Sequence, residues 1–116
     1  MIRWAEVPIY VHRDPVDFRQ SINGLSVRVS DAMELDVFSQ ALFVFGNRSR
    51  DKIKILYWDK TGFCLWYKRL EKAKFKWPRK GEAVASLSAE QFDWLLRGLD
   101  IAQLKPHSPQ TFQTLY

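Results

Sequence analysis

Apolar residues recur along this chain with two periods. Val7, Ile9 and Val11 alternate with Pro8, Tyr10 and His12, the two-residue period of a short strand. Pro8 has no amide hydrogen to give to a ladder, so an edge or strand-start position is expected. From Asp14-Pro15 onward the period lengthens. Phe18, Ile22, Leu25, Val29 and Ala32 follow one another at three- and four-residue steps, while Arg19, Gln20, Asn23, Ser26 and Asp31 lie off that stripe. The spacing predicts a helix over 15–34, with Asp14 as its N-cap and Pro15 at the first helical position. Gly24 weakens such a helix by about 1 kcal/mol relative to Ala. Close packing of another backbone there would explain its presence.

The two-residue period then returns. Leu42-Phe43-Val44-Phe45 is a short apolar run that predicts a buried strand, and Gly46-Asn47 opens a loop that continues through Asp51. Ile53, Ile55 and Tyr57 alternate with Lys54, Leu56 and Trp58. Phe63, Leu65 and Tyr67 alternate with Cys64, Trp66 and Lys68. Asp59-Lys60-Thr61-Gly62 joins these runs as a hairpin turn, with Gly62 available for a left-handed position. A second turn near 70–74 would let Phe75-Lys76-Trp77 add another strand, ended by Pro78. Val84 to Leu87 reads as a short strand or an extended connection.

Ser88 and Gln91 match a capping box, with Leu87 and Phe92 placed for the hydrophobic staple. Phe92, Leu95, Leu96 and Leu99 give a helical face over 89–98, which Gly98 ends. The expected fold class is α+β: a small antiparallel sheet of about four to five strands packed against two helices. Residues 1–104 are expected to form one domain, and 105–116 a flexible or partner-dependent tail.

Composition narrows the class. A chain of 116 residues, 47% hydrophobic and 15% aromatic, is a single folded domain rather than a disordered segment. A lone Cys64 cannot close an internal disulfide, which fits a reducing compartment. Glu6 and Pro8 interrupt the N-terminal stretch where a signal peptide needs an apolar run. No window has the ~20 apolar residues of a membrane helix. A cytoplasmic protein without a membrane partner is expected.

Charge changes the picture most. The stretch from Arg48 to Lys80 carries twelve of the 18 Lys and Arg residues and only Asp51, Asp59 and Glu71 as acids, a net of +9. Both flanks are acidic by two charges. Cations at Arg48, Arg50, Lys52, Lys54, Lys60, Lys68, Arg69 and Lys76 interleave with Trp58, Trp66 and Trp77. Cations neutralise phosphates and aromatic rings stack on unpaired bases, so a DNA contact is one reading. An acidic protein partner and a solvated face over an aromatic core are the alternatives.

Signals for catalysis are weak. His12 and His107 sit at opposite ends, and one Cys makes no zinc site. Cys64, between Phe63 and Leu65, reads as a buried, inert thiol. Asp51 stands among Arg48, Arg50 and Lys52, where ion pairing is simpler than metal binding, and Asp59 opens a turn. No glycine-rich phosphate loop and no cofactor motif is present.

The order and spacing of Leu42-Phe43-Val44-Phe45, Asn47-Arg48, Arg50 through Asp59, Gly62 through Glu71 and Phe75-Lys76-Trp77-Pro78 carry a family likeness. Asp17-Phe18-Arg19, Gly24-Leu25, Leu87-Ser88, Gln91 and Leu95-Leu96 support it. The chain resembles the small accessory protein (TnpB type, Orf-two-like) of the IS-sixty-six family of bacterial insertion sequences. Ser49 departs from the pattern where an arginine is usual, and Ala73 where a glycine is common. The resemblance implies a non-catalytic accessory to transposition, with a separately encoded transposase carrying the chemistry. It implies no catalytic residues to carry over. The element's DNA is the expected partner; the alternative is an adaptor that binds the transposase or another copy of itself, with Trp58, Trp66 and Trp77 as contacts.

Overall fold

A computed structural model describes residues 6–78 and 81–100. The chain runs β1 (Ile9–His12), α1 (Ile22–Asp31), β2 (Leu42–Gly46), β3 (Lys52–Asp59), β4 (Gly62–Arg69), β5 (Val84–Leu87) and α2 (Ala89–Leu96). The five strands form one sheet in the order β4-β3-β2-β1-β5. The α+β class is as expected, with one parallel pair: β1 runs beside β2 in the same direction, and the other three pairings are antiparallel. A parallel neighbour requires a crossover, and α1 supplies it.

Alternation along the strands divides the core into two layers. Ile9, Val11, Val44, Ile53 and Ile55 face Phe75 and the Phe92, Leu95 and Leu96 side chains of α2. Phe43, Phe45 and Leu56 face Leu25 and Val29 of α1, with Val16 and Met33 beside them. A helix on each face explains why all five residues of β2 are buried.

β1 starts at Ile9, immediately after Pro8, as a residue without an amide hydrogen requires. It is an interior strand, however, between β2 and β5. The β3–β4 hairpin pairs Asp59 with Gly62. The left-handed turn position falls to Lys60, at φ 56°, rather than to Gly62. Helix α2 has both halves of its capping box: the Ser88 Oγ accepts from the Gln91 amide, and the Gln91 Oε1 accepts from the Ser88 amide. Gly98, at φ 80°, closes it. The Leu99 amide reaches the Trp94 carbonyl and the Gly98 amide reaches the Leu95 carbonyl, the paired bonds of a Schellman motif.

Two expected elements differ. The first helix begins at Ile22, with Ser21 as N-cap, not at Pro15. Asp14 therefore caps nothing; its carbonyl accepts a bond from Nδ1 of the buried His12. Val16 bonds instead to the Gly46 carbonyl. Asp17 turns its carboxylate back onto the Arg19 amide, which favours a turn over a helix. The Lys54 ammonium then takes the Phe18 and Gln20 carbonyls, each at 2.8 Å, which a helix would have used internally. The close neighbour of Gly24 is the Gln20 side chain rather than another backbone.

The second difference is Phe75-Lys76-Trp77, which adds no strand. The chain leaves β4 and folds over the α2 side of the sheet, where Phe75 is fully buried. Its amide bonds to the Arg50 carbonyl at 2.7 Å. Among the described residues β4 is left as an edge of the sheet.

Lys54 thus holds the lead-in to α1. Its ammonium also lies 5.0 Å from the centre of the Phe18 ring. Partial burial pushes its pKa below the ordinary lysine value, against the opposing pull of Asp17. Lys54→Met keeps the apolar stem and removes both hydrogen bonds, and should lower stability by about 1–2 kcal/mol in a denaturant titration. An unchanged midpoint would refute this role.

Arg19 hydrogen bonds hold the Asp17 carboxyl down at about 2, from 3.8. A depressed folded-state pKa stabilises the fold above the unfolded value, and that contribution disappears as pH falls from about 4 towards 2. The pair is exposed, so the slope should be shallow. Asp17→Asn is expected to flatten the melting temperature's acid limb in that window. An identical limb in both proteins would show that the pair does not persist in solution.

Candidate nucleic-acid interface

The loop between β2 and β3 is braced from within. The Asn47 Oδ1 accepts from the Asp51 and Lys52 amides, both at 3.1 Å. Its Nδ2 donates to Asp51 Oδ1 at 2.7 Å. Arg50 takes a left-handed conformation, φ 61°, and its amide bonds to the Asn47 carbonyl. From outside, Leu70 donates to the Asp51 carbonyl and Phe75 to that of Arg50. Arg48 and Arg50 therefore project from a loop whose backbone is held on both sides.

Asp51 is consumed by this loop. The Asn47 hydrogen bond holds its carboxyl below the ordinary range, with Lys52, 3.6 Å away, adding to the effect. The ion pairing expected of Asp51 is present. Among the described residues no group of three His, Cys, Asp or Glu side chains is placed to hold a metal.

Beside the loop lies a cleft of about 310 Å³. It is lined by Arg48, Arg50 and Asn47 of the loop, by Arg13, Asp14 and Pro15 of the segment after β1, and by Trp77. Trp77 reaches this position because Gly46 has no side chain: a Cβ there would stand 3.0 Å from the ring. The indole N–H donates to the Arg13 carbonyl at 2.9 Å. Gly81, at φ 119°, leaves similar room for the Arg13 guanidinium, whose Nη2 would be 3.0 Å from an added Cβ. Arg13 stands outside the basic stretch, and no local pattern marks it. Its partners Trp77 and Gly81 are more than sixty residues away in the chain.

The eight candidate cations singled out in the basic stretch do not converge on one site. Arg48 and Arg50 flank the cleft, and neither side chain makes an ion pair among the described residues. Lys52 begins β3 at that same end of the sheet, and Lys76 is exposed on the segment that carries Trp77. Arg69 is there too, at the end of β4, paired with Glu71 at 2.9 Å. Lys54 points to the α1 side, occupied as described. Lys68 donates to the Leu96 carbonyl at 2.9 Å, the favoured place for a cation at the C-terminal end of α2. Lys60 sits in the opposite turn, a strand length of about 25 Å away.

The tryptophans divide between the two faces of the sheet. Trp66 and Trp77 pack, partly buried, on the α2-side core. Trp58 stacks edge-on against Phe38 and Phe63, at 5.1 and 4.9 Å between centroids, beyond α1. Phe38, 58% exposed, was not marked by the sequence pattern, because it lies in a connection without periodicity. Cys64 is half-buried rather than buried. The expected tail, 105–116, lies outside the described residues, and so do Arg79 and Lys80.

The fold and this sheet end define a small α+β protein with a preformed basic cleft and no helix, among the described residues, long and apolar enough to cross a membrane. The model of the family "IS66 Orf2 like protein" matches residues 7–106, and the chain belongs to that family. Two curated relatives come from Sinorhizobium fredii and are themselves named as uncharacterised. The y4jC protein is 37% identical over 84% of this chain and 83% of its own. The y4hO protein is 32% identical over 81% and 82%. No solved structure matches the chain. The family is one of insertion-sequence accessory proteins linked to transposition and is not an established enzyme family.

Proposed function

We propose that this accessory protein serves transposition by binding DNA of its element, without catalysing a reaction. The observation that carries the reading is the braced loop 47–51. It holds Arg48 and Arg50 beside Arg13 in a cleft, with no acidic side chain among the described residues ion-paired to Arg48 or Arg50. Lys52 and Lys76 extend the positive field at that end of the sheet. Lys54 and Lys68 have structural roles instead, and their replacement should act through stability. Retention of labelled element DNA across a salt series tests the reading, with wild type compared to Arg48→Glu/Arg50→Glu. Undiminished retention by the variant would exclude this contact.

A second reading rests on a separate observation. Val27 and Phe38, 56% and 58% exposed, border an open groove of about 430 Å³ with Phe63. Apolar exposure of this kind marks protein contacts. The adaptor reading places the separately encoded transposase or a second copy there. Co-purification with the transposase from nuclease-treated extract, lost on Phe38→Asp, supports it; survival of the complex in that variant would exclude it.

A further inference from the structure

The cleft has features that a general attraction to duplex DNA does not require. Among the described residues its cations are all arginines, and they come from two separate segments, one after β1 and one after β2. Arginine offers a planar fork of donors that grips a phosphate at two oxygens, which lysine does not. The same cleft is lined by an indole ring held against Gly46 and bonded to the Arg13 carbonyl. Indole is a surface on which bases stack whatever their sequence. Asp14 lines the same cleft, so the described lining residues carry a formal charge of +2. A volume of about 310 Å³ suits a single small group rather than the convex backbone of a double helix.

We infer that this cleft seats one unpaired nucleotide of a DNA strand, its phosphate held by Arg13, Arg48 and Arg50 and its base against Trp77. The inference rests on the DNA-binding reading and refines it: the protein would favour single-stranded or distorted DNA over an intact duplex. A nucleotide inside a duplex keeps its base stacked between neighbours. One that has left the stack has a free ring face to offer the indole. The preformed backbone means little ordering is required on binding.

The test uses fluorescence anisotropy with an oligothymidylate of about twelve nucleotides and a blunt duplex of equal length. Wild type should bind the single strand about tenfold more tightly, the effect of one good stacking contact. The variant Arg13→Lys/Arg48→Lys/Arg50→Lys keeps the charge. Its affinities for the two probes should come within about twofold of each other, most of the single-strand preference being lost. Trp77→Leu, compared with wild type below its own melting temperature, should lose the preference as well. Equal affinity of wild type for both probes, or a preference that survives the lysine variant, would overturn the nucleotide seat while leaving DNA binding intact. Failure of wild type to bind either probe would remove the broader reading along with it.

Discussion

Phe75→Ala is expected to destabilise the protein by about 3–5 kcal/mol, the usual range for truncating a buried phenylalanine. Phe75 is fully buried, although it lies on a segment with no regular secondary structure. Its ring belongs to the cluster of Ile53, Ile55, Phe92 and Leu95, which joins the sheet to α2. Its amide bond to Arg50 is one of two, with Leu70 to Asp51, that tie this segment to the arginine loop. A domain of this size has roughly 5–15 kcal/mol of total stability, so a large share would be lost. The melting temperature should fall by on the order of 15 °C. Phe75→Leu, which leaves a smaller cavity, should lose under half as much. A loss below about 1 kcal/mol for the alanine variant would show that the segment does not close the core.

Charge reversal at the cleft should have the largest effect on binding. If Arg48, Arg50, Lys52 and Lys76 each neutralise a phosphate, the log–log salt slope contains about −3.6 from them. Affinity for duplex should then weaken about a hundredfold between roughly 50 and 200 mM salt through these contacts alone. Replacing all four with Glu should abolish retention at the higher salt and flatten the slope. The matched control is Lys60→Glu, at the far turn, which should change affinity by less than about threefold. Equal losses from Lys60→Glu and from Arg48→Glu/Arg50→Glu would mean that net charge alone drives binding and that the cleft has no special part.

The apolar run of β2 and the two-residue periods of β3 and β4 were legible because each is a pattern of immediate neighbours. The hairpin and the α2 capping box were legible for the same reason: their signals are local residues at fixed offsets. The start of α1 was not. Asp14-Pro15 is a good local helix signal, but the Lys54 ammonium and the Gly46 carbonyl outcompete it from more than thirty residues away. The path of the Phe75 segment is not legible for a similar reason, since three alternating residues cannot say whether they pair at an edge or fold across a face.

The candidate site divides in the same way. Composition and order alone establish the basic stretch, the α+β class and the family likeness, all properties summed along the chain. Convergence is a property of the fold. Two of the eight cations, Arg48 and Arg50, line the cleft, joined by an Arg13 that the charge pattern passed over. Lys54 and Lys68, both partly buried, turn their ammonium groups onto backbone carbonyls. The physical reason is that a lysine stem of four methylenes reaches whichever unsatisfied group the packed elements bring near it, and packing is decided between segments distant in sequence.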